Sequence, residues 1–107
     1  MTAPSMKPSA AVAAAAKKGL ELRAKFKRGG TDVGVARAEQ LSARHDVSEE
    51  DVAHIVSYFG RHAVDKNAAA HEWDDDSDPS AGYIAWLLWG GDAGKEWADG
   101  LKAKLGK

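Results

Sequence analysis

The chain contains no cysteine among its 107 residues. Disulfides and thiolate metal sites are therefore excluded, and a reducing cytoplasm suits such a composition. Large apolar side chains are also scarce. The hydrophobic share is 44%, but much of it is alanine, notably the run from Ala10 to Ala16. The core must be small, and modest stability, or stability completed by a partner, is expected. No long hydrophobic run exists: Lys17 and Lys18 end the alanine stretch too early for a membrane span, and the start lacks the leucine-rich segment of a secretory signal. Nothing alternates with the period of a β-strand.

What is present is helical pattern and polarised charge. Residues 1–30 hold seven Lys or Arg against Glu21 alone, whereas the remainder holds eight against fifteen acids. A chain so divided can hold an anionic partner at one end or pair its own ends between copies. Its overall net charge of −1 also makes self-association easy.

Pro4 and Pro8 mark residues 1–8 as a disordered lead-in. The single domain then occupies residues 9–107. Ser9 caps a basic first helix over 10–28, with Val12, Leu20 and Phe26 as sparse anchors and Gly29-Gly30 as its stop. Thr31 caps a second helix over 32–44, in which Val33, Ala36 or Arg37, and Gln40 or Leu41 lie on neighbouring faces. Ser48 precedes Glu49, Glu50 and Asp51, acids that suit the positive end of a helix. Val52, Ile55, Val56 and Phe59 continue that helix as an apolar stripe ending around Gly60 to Ala63. Residues 65–78 read as an exposed acidic loop around Trp73. Ser80 starts a fourth helix over 80–89, apolar on nearly every side and so the most buried element. Gly90-Gly91 ends it, and Asp92 caps a fifth helix over 93–104 with Trp97, Leu101 and Leu105 inward. The fold class is all-α: a compact bundle of four to five short helices with Gly-Gly turns, its core helices spanning 32–104.

No catalytic constellation stands out. Asp74, Asp76 and Asp78 begin like a calcium loop, but Pro79 stands where glycine is needed and Ala85 where a bidentate glutamate is needed. His45, His54, His62 and His71 show no zinc spacing. Arg61, His62 and Asp65 lack a nucleophile beyond Ser57, a helix-surface serine. Neither a metal nor another cofactor is expected. Lys25, Lys27, Arg28, Gly29, Gly30 and Arg37 form the candidate anion-contact set, because cations precede glycines whose N–H groups open the next helix. The same residues also suit an ordinary helix end and turn. Tyr83, Trp86, Trp89 and Trp97, with Trp73, are candidate core or interface anchors. Tyr83, Trp86 and Trp89 share one helical face while Leu87 and Leu88 occupy another.

Several segments together carry a resemblance. Lys18-Gly19-Leu20-Glu21-Leu22-Arg23, Arg28-Gly29-Gly30-Thr31 and Val33-Gly34-Val35-Ala36-Arg37-Ala38 are followed by Val56-Ser57-Tyr58-Phe59, Arg61-His62 and Val64-Asp65-Lys66. Pro79-Ser80-Ala81-Gly82-Tyr83-Ile84-Ala85-Trp86 and Leu88-Trp89-Gly90-Gly91-Asp92-Ala93-Gly94 close the series. Over residues 17–98 the chain resembles a small domain widespread in tailed bacteriophages, found alone or appended to head-morphogenesis proteins such as prohead proteases. The loop at 67–77 departs from the resemblance: it is rich in alanine and aspartate where similar proteins carry glycine and lysine. The resemblance implies a non-enzymatic protein of the virion or host cytoplasm, docking on a phage structural protein or on itself. The alternative is a nucleic-acid-binding module that uses the basic first helix and the Gly29-Gly30 turn. No membrane partner is expected.

Overall fold

The computed structural model describes residues 6–62, 77 and 80–105. Among them are five helices and no strand: α1 (Ala10–Phe26), α2 (Asp32–Ser42), α3 (Glu49–His62), α4 (Ala81–Leu88) and α5 (Gly91–Lys104). The all-α expectation holds. Residues 1–5, 63–76, 78–79 and 106–107 lie outside the described set, and with them Trp73, His71, Asp65 and the acidic run at 72–76.

Four helices begin at a hydroxyl that accepts an orphan N–H of the first turn. Ser9 Oγ accepts from Val12 N at 3.3 Å, Thr31 Oγ1 from Gly34 N at 3.2 Å, and Ser80 Oγ from Tyr83 N at 3.0 Å. At α3 the exchange is reciprocal. Ser48 Oγ accepts from Asp51 N, and Asp51 Oδ2 accepts from Ser48 N, both at 3.0 Å. The fifth start differs from expectation. Asp92 is not the cap: α5 begins at Gly91, after Gly90 at φ 112°, with no side-chain cap. The Asp92 carboxylate is instead held by Trp86, whose Nε1 donates to Oδ1 at 2.9 Å.

α4 is the most buried helix, and α1 is the one on which α2, α4 and α5 all pack. Tyr83, Ile84, Trp86, Leu87 and Leu88 are all buried. On one side α4 lies against α1, where Gly19 permits the approach: a Cβ there would stand 2.8 Å from the backbone N of Leu88. α1 therefore buries Val12, Ala16, Gly19 and Leu22, while the expected anchors Leu20 and Phe26 are only partly covered. α1 also packs against α2 and α5, and α3 packs against α5. α3 meets α4 through rings, Phe59 standing edge-on to Trp86 at 4.6 Å.

Three boundaries move for tertiary reasons. α1 stops at Phe26, because Lys27 turns left-handed at φ 53° and returns its N–H to Arg23 O at 2.7 Å. Gly29 and Gly30 both take positive φ, and a Cβ on Gly29 would meet Ile84 at 2.7 Å, so docking on α4 sets the reversal. α2 stops at Ser42, and Arg44 turns left-handed at φ 57°. Arg44 Nε donates to Pro8 O at 2.9 Å, and Val47 N donates to Met6 O at 2.9 Å. Residues 6–8 of the expected lead-in are thus tied to the α2–α3 connection, with Pro8 fully buried. On α2 the buried face is Gly34, Ala38 and Leu41; Val33 is 64% exposed.

The Gly19 contact yields a contrast. Gly19→Ala adds a methyl against backbone that cannot rotate away, and overpacking of this kind costs about 1–3 kcal/mol. Gly100→Ala on α5 meets nothing within 4 Å and gains up to about 1 kcal/mol of helix propensity. Thermal melts followed by circular dichroism should show the first variant below wild type and the second at or above it. Equal melting of the two would remove Gly19 from this role.

Candidate functional site

The stripe of α3 opposite its apolar face is polar: His54, Ser57 and Arg61 follow at helical spacing, with Ala53, Tyr58 and His62 beside them. Facing it stand the start of α2 and the start of α4. Between these walls lies an open cleft of about 700 Å³. The facing wall is mostly apolar, with Val33, Ala81, Gly82, Ala85 and Trp89, and is completed by Gly30 and Thr31. No carboxylate is among the described residues that line the cleft. Val33, at its rim, is also the large apolar side chain that the described surface leaves exposed.

The floor is held by a stack of planar groups. The Tyr58 and Trp89 rings lie 4.6 Å apart at an interplanar angle of 6°. His62 stacks on Tyr58 at 4.5 Å, and the Arg37 guanidinium lies 5.4 Å from the Trp89 centroid. Arg37 then ties α2 to α3. Its Nη1 stands 2.9 Å from Asp51 Oδ1 and donates to Gln40 Oε1 at 2.7 Å, while Gln40 Nε2 donates to Asp51 Oδ2 at 3.2 Å. Arg37 Nε is buried and finds no hydrogen-bond partner; the π face of Trp89 offsets part of that cost. Burial pushes the Asp51 carboxyl up. The Ser48 N–H, the hydrogen bonds from Arg37 and Gln40, and the Arg37 charge outweigh it and hold Asp51 at about 2.

The structure separates the residues grouped as an anion-contact set. Lys25 and Arg28 both lie over the Phe26 ring, at 5.3 and 5.6 Å from its centroid. Lys27 is exposed beside them at the left-handed end of α1. Gly29 is half-buried against α4, and Gly30 lines the cleft. Arg37 is not part of that surface: its guanidinium is committed to Asp51 and Trp89. Of the aromatic anchors, Tyr83, Trp86 and Trp89 are buried, and Trp97 is half-buried against the core. Trp73 lies outside the described residues. The grouping of Arg61 and His62 with Asp65 lacks its third member there, and His54 Nε2 is turned to Glu50 at 3.6 Å. Among the described residues no group of three or more His, Asp or Glu side chains is placed to hold a metal ion, and no helix is long and apolar enough to cross a membrane.

The cleft escaped the sequence because each of its walls reads alone as an ordinary solvated face or a capped helix start. Its one legible signal is that the polar stripe of α3 carries His54, Arg61 and His62 with no acid between them.

The Asp51 linkage has a defined sign. Its carboxyl lies near 2 when folded, against an ordinary value of 3.8. Its contribution is therefore fully present above pH ~4 and is lost as pH falls toward ~2. Urea denaturation should show wild type losing stability across that window more steeply than Asp51→Asn. The variant should also melt several degrees lower near neutral pH, since Arg37 loses its charged partner. Parallel acid limbs in the two proteins would contradict the assignment.

No family model matches the chain, and neither does any curated protein or any solved structure.

Proposed function

We propose that this chain is a non-enzymatic interaction module of tailed bacteriophages, a small virion or head-assembly component that docks on head proteins or on further copies of itself. The phage part of this reading rests on the series of segments between Lys18 and Gly94. The docking part rests on one observation. The scaffold buries Tyr83, Trp86 and Trp89 and leaves a recessed cleft with one apolar wall and an exposed valine at its rim. Apolar surface exposed beside a concavity is the signature of a partner site. A hydrolytic reading has less support: Ser57 and two histidines line the cleft and Glu50 stands beside His54, but nucleophile chemistry needs the hydroxyl bonded to its base, and among the described residues no hydrogen bond joins Ser57 to either imidazole.

Nucleic acid is the competing partner. Withdrawal of Arg37 leaves Lys25, Lys27 and Arg28 as its contact surface. The readings separate by experiment. Mass spectrometry of purified particles of the encoding phage should detect the chain, and the purified protein should self-associate or bind isolated head proteins. Absence from particles together with neither kind of association defeats the proposal. Binding to DNA or RNA that falls steeply with salt, and is lost on charge reversal of Lys25 and Lys27, replaces it with the other.

A further inference from the structure

Residues 6–8 lie against the corner between α2 and α3. That corner, residues 43–48, satisfies part of its own backbone: Arg44 N returns to Leu41 O at 3.0 Å and His45 N to Gln40 O at 3.2 Å. Val47 N reaches outside the corner, to Met6 O at 2.9 Å, and Arg44 Nε donates to Pro8 O at 2.9 Å. Pro8 biases Lys7 toward extended backbone, and residues two apart in an extended chain face the same way. Met6 and Pro8 accordingly both serve the corner, while Lys7 between them is exposed. Pro8 is fully buried, and Met6 packs against the core. Arg44, whose side chain grips Pro8, holds a left-handed φ of 57°, a conformation disfavoured for a residue with a Cβ.

We infer that residues 6–8 are a latch. Closed, they hold the α2–α3 corner and, through it, the start of α3. Removed or drawn away, they free the corner while the α1–α4 contact stays intact. The separate anchoring of the neighbouring helices supports this. α1 is set on α4 at Gly19, well along the helix from the latch, while α2 packs on α1 and α3 packs on α5. The corner thus joins two helices that are each secured elsewhere. Ser48, the cap of α3, follows Val47 directly, so release of Val47 is felt in the first turn of α3. A segment tied down by a few bonds opens at lower free energy than the core and independently of it. The latch does not depend on the docking function proposed above.

Amide hydrogen exchange, followed residue by residue by NMR, tests this against the full chain. In a chain lacking residues 2–8 the Val47 amide should exchange about tenfold faster or more, because its acceptor is gone. Val52 N, which donates to Ser48 O at 3.0 Å, should speed up less, and Leu87 and Leu88 of α4 should keep their full-chain rates. A chain lacking only residues 2–5 should match the full chain throughout. Arg44→Gly in the full chain places the residue best suited to a left-handed turn there and removes the grip on Pro8. It should speed exchange at Val47 about threefold. Unchanged Val47 exchange in the chain lacking residues 2–8, or a rise shared equally by Leu87 and Leu88, overturns the latch. Failure of that chain to fold overturns it too, since the core would then depend on the segment, and so does unaltered Val47 exchange in Arg44→Gly.

Discussion

The approach of α1 to α4 at Gly19 is the constraint on which the rest of this fold depends. With no Cβ at that point, the α4 backbone settles directly onto α1. The two indoles of this segment are turned toward α3, while the Tyr83 ring lies beside Lys18 of α1. Trp86 then meets Phe59, and Trp89 meets Tyr58. The run of alanines that looks too poor to build a core is, for the same reason, what allows one. Val12 and Ala16 with Gly19 form a low surface on which a short, bulky helix can lie. Small residues on one helix and aromatic residues on the other are complementary halves of one contact.

From this contact the polar architecture follows. Trp89 stacks on Tyr58 and receives the Arg37 guanidinium, and Arg37 is fixed in turn by Asp51. Asp51 has two roles, closing the cap of α3 and neutralising the guanidinium of α2. The cleft beside this stack is the outward consequence of packing chosen for the interior. Its walls belong to three helices, and their separation is held by groups that themselves lie under its floor.

The glycines that close the α1–α2 turn and open α2 fall on this scaffold. Gly29 and Gly30 press on Ile84 and Leu88, and Gly34 lies against Trp89. These are segments far apart in the chain that meet in space. Such residues report an architecture, while activity resides in surfaces that the architecture presents. Val33, next to Gly34 in sequence, illustrates the split: one side chain's place is dictated by the core, and its neighbour's is left to solvent or a partner.

Local chemistry determined much of this protein without help from the fold. Ser9, Thr31, Ser48 and Ser80 cap helices by bonds to N–H groups three residues ahead, and Val52, Ile55 and Phe59 face inward because a helix of period 3.6 puts them on one side. Both kinds of signal act over a single turn or two, so they are written in adjacent residues. Tertiary structure decided what depends on distant partners. Asp92 serves Trp86 and not the start of α5, and Arg37 turns inward to Asp51 and Trp89 and not outward to an anion. Lys27 takes the left-handed position two residues before the glycines, and Pro8 is buried under Arg44. The cleft belongs to this second group. A concavity is a relation between surfaces on separate helices, and its chemistry exists only once packing has set them face to face.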